Sequence, residues 1–187
     1  FPLPCSTSLL DFSRSDLVAG VAGAGTMGRG IAQVLAQSGT RTLLFDAQPG
    51  AAQKGRQSIA GALGKLAEKG RLKPGDVDAA LGRIEVVDQL ERFSPCHVVV
   101  EAIIEDLGAK RALFSQLEGI VAESCVLASN TSSLSVTEMA AACKRHGILF
   151  CPHDNYIDFY PDADDYSYKH IIFNADGMPD GPIYLSP

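Results

Sequence analysis

Leu17-Val18-Ala19-Gly20-Val21-Ala22-Gly23-Ala24-Gly25-Thr26-Met27-Gly28 is the stretch whose reading decides the fold. Its first six residues form a short apolar run, as expected of a strand buried on both faces. Residues 23 to 28 then spell GxGxxG. A helical pattern follows from Met27 to Gln37, with Ile31, Val34 and Leu35 on one face, and stops at Ser38-Gly39. A strand, this glycine spacing and a helix in that order form the context in which GxGxxG is informative. Gly23 allows a tight turn, Gly25 lets the backbone approach a pyrophosphate, and Gly28 lets helix and strand pack closely. The helix start at Thr26 and Met27 offers unpaired N–H groups to phosphate.

Working outward, Arg41 to Asp46 reads as the second strand, ending in a carboxylate about twenty residues after the glycines. Asp46 there can accept both ribose hydroxyls and repels a 2′-phosphate, and no arginine follows directly, so NAD is favoured over NADP. A glycine-rich turn beside a solvated aspartate is the plain alternative. Ala51 to Lys69 is a run of helix formers closed by Gly70, and Asp76 is placed to cap a short helix through Leu81. Ile84–Val87, His97–Glu101 and Cys125–Ala128 read as further strands, and Leu107–Glu118 as a helix with Leu113, Phe114 and Leu117 inward. Ser135–Lys144 reads as a last helix, capped by Ser133 or Ser135, with Glu138 at capping-box spacing. Alternating apolar strands and helices imply a Rossmann-type, doubly wound α/β fold: a mainly parallel sheet with helices on both faces. The expected organisation is an irregular N-terminus over 1–15, a dinucleotide-binding domain over 16–148 and an atypical β-rich tail over 149–187.

Composition sharpens that last boundary. The chain has 187 residues and a net charge of −6. All of that charge falls after Phe150, where seven aspartates face one lysine, Lys169. All five tyrosines lie there too. An acidic chain is a poor nucleic-acid binder. Five cysteines, odd in number and without CxxC spacing, favour a reducing compartment such as the cytoplasm over a disulfide framework, and no metal site is expected. No apolar run reaches transmembrane length, and the opening residues lack the basic start of a secretory signal.

The segments GAGTMGRGIAQVLAQSG (23–39), LLFD (43–46), KLAEKGRLKPGDVDAALGRI (65–84), VVVEAIIEDLGAKRALFSQLE (98–118) and LASNTSSLSVTEMAAAC (127–143) resemble, in order and wording, the NAD-binding domain of the 3-hydroxyacyl-CoA dehydrogenase family. The resemblance covers roughly residues 16 to 146 and is nearest to bacterial enzymes acting on 3-hydroxybutyryl-CoA. It implies oxidation of an L-3-hydroxyacyl-CoA to the 3-ketoacyl-CoA by hydride transfer to NAD, in fatty-acid β-oxidation or related chemistry. By it, Glu105 lies near the nicotinamide ribose, Lys110 faces cofactor and acyl-CoA, Ser132 hydrogen-bonds the substrate hydroxyl and the base, and Asn130 shapes the pocket. Spacing alone also permits a solvated Glu105, a surface Lys110 and a capping Ser132. Lys65, Lys69, Arg71 and Lys73 could meet coenzyme A phosphates, or simply favour a helix end.

The family's catalytic base is a histidine that ends the next strand before two aromatics and Asn-Pro, with a glutamate about a dozen residues later. Here Phe150-Cys151-Pro152-His153-Asp154 departs from that wording, with His153 and Asp165 falling near the two positions. Family members also carry a helical second domain, which completes the acyl-CoA cleft and the homodimer; no matching pattern follows residue 148. Impaired catalysis is therefore expected of this form. The tail shows strand patterns at 156–160 and 168–173 and resembles, over a fragment, family 9-type carbohydrate-binding β-sandwich modules. The rival reading is a non-catalytic NAD-binding fragment joined to an unrelated, sugar-binding β segment. Asp162, Asp164 and Asp165 could attract calcium, but no full oxygen cage is visible.

Overall fold

The computed structural model describes residues 14–143, 148–150, 169–173 and 179–184. The chain begins with strand β1 (Val18–Ala22), helix α1 (Thr26–Gln37) and strand β2 (Arg41–Phe45). Helices α2 (Ala51–Glu68) and α3 (Pro74–Gly82) lead to β3 (Ile84–Val87), a 3₁₀ turn (Leu90–Phe93) and β4 (Val98–Glu101). Helix α4 (Leu107–Ile120), strand β5 (Val126–Ser129), helix α5 (Val136–Ala140) and strand β6 (Ile148–Phe150) follow. Strands β7 (Lys169–Phe173) and β8 (Pro179–Tyr184) close the described chain.

The sheet order is β3-β2-β1-β4-β5-β6-β7-β8. The pairs from β3 through β6 are parallel, and β6–β7 and β7–β8 are antiparallel. The first six strands thus have the doubly wound Rossmann order, whose switch point lies between β1 and β4. The expected fold class holds. Strand β6 runs parallel to β5 across residue 148, and β7 matches the strand expected near 168–173. The other strand expected in the tail, 156–160, and the acidic turn at 162–165 lie outside the described residues.

Two apolar clusters sandwich the sheet. Ala22 and Leu43 belong to one, with Val99, Leu127, Leu113, Phe114 and Leu117; Val21 and Leu44 belong to the other, with Ala32, Ala36, Ile59 and Leu63. Neighbours in a strand point to opposite faces, so the clusters lie on the two sides of the sheet. The inward face of α4 is the one expected. That of α1 holds in part: Ile31 and Leu35 are half-buried and pack against the core, Val34 is 65% exposed, and Gly28, Ala32 and Ala36 are the buried residues at the centre of the contact. Small side chains let the helix lie close to the sheet, and that proximity overrides the larger apolar stripe at Val34.

Two end signals also shift. Asp76 caps α3 from its third position rather than as the N-cap, which is Lys73: Pro74 opens the helix, where its missing N–H costs nothing, and Asp76 Oδ2 accepts from Lys73 N at 3.3 Å. Helix α5 is shorter than expected, and Ser135 is its capping residue, with Oγ accepting from Glu138 N at 3.3 Å.

Candidate functional site

The glycine turn sits where β1 passes into α1. Gly23 has φ 109°, in the left-handed region. A β-carbon on it would lie 2.4 Å from Ala102 O, and one on Gly28 would lie 1.8 Å from Gly23 O. Both glycines are therefore required by the protein's own packing. Gly25 differs: its φ is −67°, and a β-carbon there would meet nothing within 4 Å. It faces open space at the start of α1. That helix has no side-chain cap and no acidic residue in its first turn. Its first amides and the positive end of its dipole are left for an anion. Thr26 and Met27 are both exposed there.

Asp46 stands at the end of β2 beside this turn. Its Oδ2 accepts from Ala24 N at 2.8 Å, and its Oδ1 accepts from Gln48 N at 2.9 Å. Each carboxylate oxygen keeps a second lone-pair direction. The carboxylate is thus held by backbone before any ligand meets it.

A second cluster gathers at the carboxyl ends of β4 and β5. Glu101 and Ser129 are cross-strand partners in register. Alternation puts them on the α4 face with Val99 and Leu127, and Lys110 of α4 enters between the strands' ends. Glu101 is fully buried and Lys110 is 1% exposed. Lys110 Nζ lies 2.6 Å from Glu101 Oε1 and 3.2 Å from Glu105 Oε2. Ser129 Oγ donates to Glu101 Oε2 at 2.6 Å and accepts from Thr131 N at 3.2 Å. Ile103 N donates to Glu101 Oε1 at 2.8 Å. Glu105 Oε1 in turn accepts from the Thr131 hydroxyl, from Ser133 Oγ at 3.1 Å and from Ser132 N at 3.3 Å. Partial burial of Glu105 works to raise its pKa; the bonds from Thr131 and Lys110 outweigh this and hold it at about 2. The carboxylate is ionised throughout the neutral range.

These contacts join Glu105, Lys110 and the Asn130–Ser133 loop into one unit, with Asn130 N donating to Glu101 O at 2.9 Å. Ser132 is exposed at the loop's surface, and its hydroxyl has no partner among the described residues. Lys110 is an interior ion-pair partner with its ammonium against two carboxylates. His153 lies outside the described residues. The 3-hydroxyacyl-CoA dehydrogenase NAD-binding-domain profile matches residues 18–153. The chain belongs to this family. A probable 3-hydroxybutyryl-CoA dehydrogenase of Deinococcus radiodurans is 46% identical over 126 residues, covering 67% of this chain and 45% of that protein. Its counterpart in Bacillus subtilis is 41% identical over 125 residues, covering 67% and 44%. The crystal structure of (S)-3-hydroxybutyryl-CoA dehydrogenase from Ralstonia eutropha superposes with a TM-score of 0.68 at 36% identity, over 73% of this chain and 49% of that one. This chain spans a little under half the length of the curated relatives quoted.

The 3-hydroxyacyl-CoA dehydrogenase NAD-binding domain is named for a cofactor that these residues fit. Gly25 leaves open space at the helix start, as a diphosphate needs, and the Asp46 carboxylate is held beside that turn by Ala24 N. Sequence reasoning missed Glu101, Ser129 and Thr131 as parts of the site. The signal was present. Glu101 ends the run Val98–Val100 on the same alternation as Val99, and Lys110 stands three and four residues before Leu113 and Phe114 on the buried stripe of α4. Polar residues at such interior positions require one another.

Proposed function

We propose that this chain is the cofactor-binding half of an NAD-dependent L-3-hydroxyacyl-CoA dehydrogenase of the 3-hydroxybutyryl-CoA type. The observation that carries the reading is the open position at Gly25, over an uncapped helix start and beside the anchored Asp46. The amides of the first turn of α1 hold the diphosphate, Asp46 accepts from the adenosine ribose, and Glu105 and the Asn130–Ser133 loop line the nicotinamide end. When bound, NAD serves as acceptor of the hydride from the substrate's 3-carbon. Ser132 donates to or accepts from the 3-hydroxyl, orienting it for loss of its proton. His153 is assigned as the base that takes that proton. The exposed Lys65, in the last turn of α2, and Lys69, Arg71 and Lys73, between α2 and α3, are assigned to coenzyme A phosphates. The three described cysteines, Cys96, Cys125 and Cys143, are unpaired and buried, which supports a reducing compartment such as the cytoplasm. No helix among the described residues is long and apolar enough to cross a membrane.

Calorimetric titration with NAD+ and NADP+ tests the reading, and failure to bind NAD+ overturns it. Reduction of acetoacetyl-CoA by NADH tests the catalytic part, and loss of turnover in His153→Ala assigns the base. NAD+ binding without turnover makes the chain a binding module.

A further inference from the structure

The dinucleotide site has two ends, and they are built differently. Asp46 marks the adenosine end at β2, and Gly25 the diphosphate over β1. The remaining end of a dinucleotide must then extend past β4 and β5, on the other side of the switch point. There, the exposed Glu105, Ser132 and Ser133 are held through the buried Thr131. Glu105 and the 131–133 segment are tied to each other, and both are tied downward to a buried set of three polar side chains.

We propose that Glu101, Lys110 and Ser129 act together as a positioning element for the nicotinamide end of the site. This rests on the functional reading above. Lys110 bridges from Glu101 to Glu105 and so fixes where the Glu105 carboxylate stands. Ser129 bridges from Glu101 to Thr131 N and so fixes the start of the loop that carries Ser132. Glu101 is the shared centre: its two oxygens take Lys110 and Ser129, and the bond from Ile103 N shapes the turn that leads to Glu105. All three lie beneath the surface, so they act through Glu105 and the loop. A buried charged set needs every member satisfied. Here, on the described contacts, the set reaches Glu105 and Thr131, and through them the exposed Ser132 and Ser133. The glycine turn makes no hydrogen bond to any of the three.

The consequence is selective. Disturbing the set must weaken ligands that reach the nicotinamide end and spare ligands that stop at the diphosphate. The test compares NAD+ with ADP, which lacks both the nicotinamide and its ribose, by calorimetric titration of the full chain. The first variant is the double substitution Glu101→Gln with Lys110→Met, which removes both charges and keeps volume. The second is Ser129→Ala. In each, NAD+ affinity is expected to fall about ten-fold, as when supporting partners of a site residue are removed, with ADP affinity unchanged. A role in stability alone lowers the melting temperature and leaves the ratio of the two affinities as it was; that result, or a parallel loss of both ligands, overturns the proposal. If the double variant does not fold, Ser129→Ala decides on the same ratio. Failure of the unsubstituted chain to bind either ligand overturns the functional reading and this proposal with it.

Discussion

Ala24 N donates to Asp46 Oδ2 at 2.8 Å, so the carboxylate that ends the second strand also fastens the glycine turn after the first. One side chain thereby serves the protein's own backbone and, on the functional reading, the adenosine ribose. Asp46→Ala is expected to weaken NAD+ binding by about ten- to a hundred-fold, the range for hydrogen bonds to a charged group. It should also remove the preference against NADP+. Titration of the variant with both dinucleotides checks this, and an unchanged NAD+/NADP+ ratio removes Asp46 from the ribose site.

The glycines separate fold from ligand. Gly28→Ala drives a β-carbon to 1.8 Å from Gly23 O. It should cost roughly 3 kcal/mol or more, at the upper end of overpacking effects. Gly25→Ala meets empty space at an ordinary φ and should shift stability by only about 0.5 kcal/mol. It should nonetheless weaken dinucleotide binding, since its methyl occupies the approach to the helix start. Denaturant melts paired with NAD+ titrations of the two variants test the contrast.

Glu105 links the site to pH. Its pKa is held near 2 in the fold against 4.5 for an unperturbed glutamate, so the unfolded chain binds its proton more tightly. The stabilisation from this group is therefore complete above 4.5 and is lost as pH falls from there towards 2. Glu105→Gln should flatten that part of the acid limb of the melting-temperature profile and leave the neutral region's slope as it is. Thermal melts across pH 2 to 7 measure it.

Much of this architecture could be read from the chain before any coordinates. The apolar runs, the glycine spacing and Asp46 specify the parallel sheet and the cofactor turn, because each depends on local chemistry: strand periodicity, permitted backbone angles, a carboxylate at a strand end. The apolar stripe of α1 places Ile31 and Leu35 against the core but not Val34, because the pull of large side chains towards the interior is a local signal. The requirement that Gly28 pass within contact of Gly23 is a tertiary one. The Glu101–Lys110–Ser129 set was hidden for a similar reason. Each residue reads as ordinary in its own segment, and only the register of β4 on β5 brings the two strand residues together under α4.

The same set yields a stability prediction. Lys110→Met alone leaves the buried Glu101 carboxylate without its cation and should cost about 3–5 kcal/mol, whereas Glu101→Gln alone leaves Lys110 with Glu105 and should cost less. The double substitution should cost much less than the sum, because a neutral, volume-matched pair replaces the ion pair. A double-mutant cycle by chemical denaturation gives the coupling directly. Additive costs would mean that the two side chains do not sense each other.

Cys96, Cys125 and Cys143 are buried, and burial pushes each thiol up to about 12. They should resist iodoacetamide in the native protein at pH 8 and react once it is denatured. Mass-spectrometric peptide mapping of the alkylated protein distinguishes the two states.

Helix α1 meets the sheet chiefly through Gly28, Ala32 and Ala36, with Ile31 and Leu35 packed beside them, so little more than a methyl group separates the centre of its face from the strands. The elevation of its leading amides is thus set by residues that no ligand would ever contact. A single isopropyl group at Ala32 would act as a wedge, tipping the helix and carrying the anion cradle out of reach. Binding defects in this chain should therefore arise from the underside of α1 as readily as from its tip, and a search confined to ligand-facing positions would overlook them.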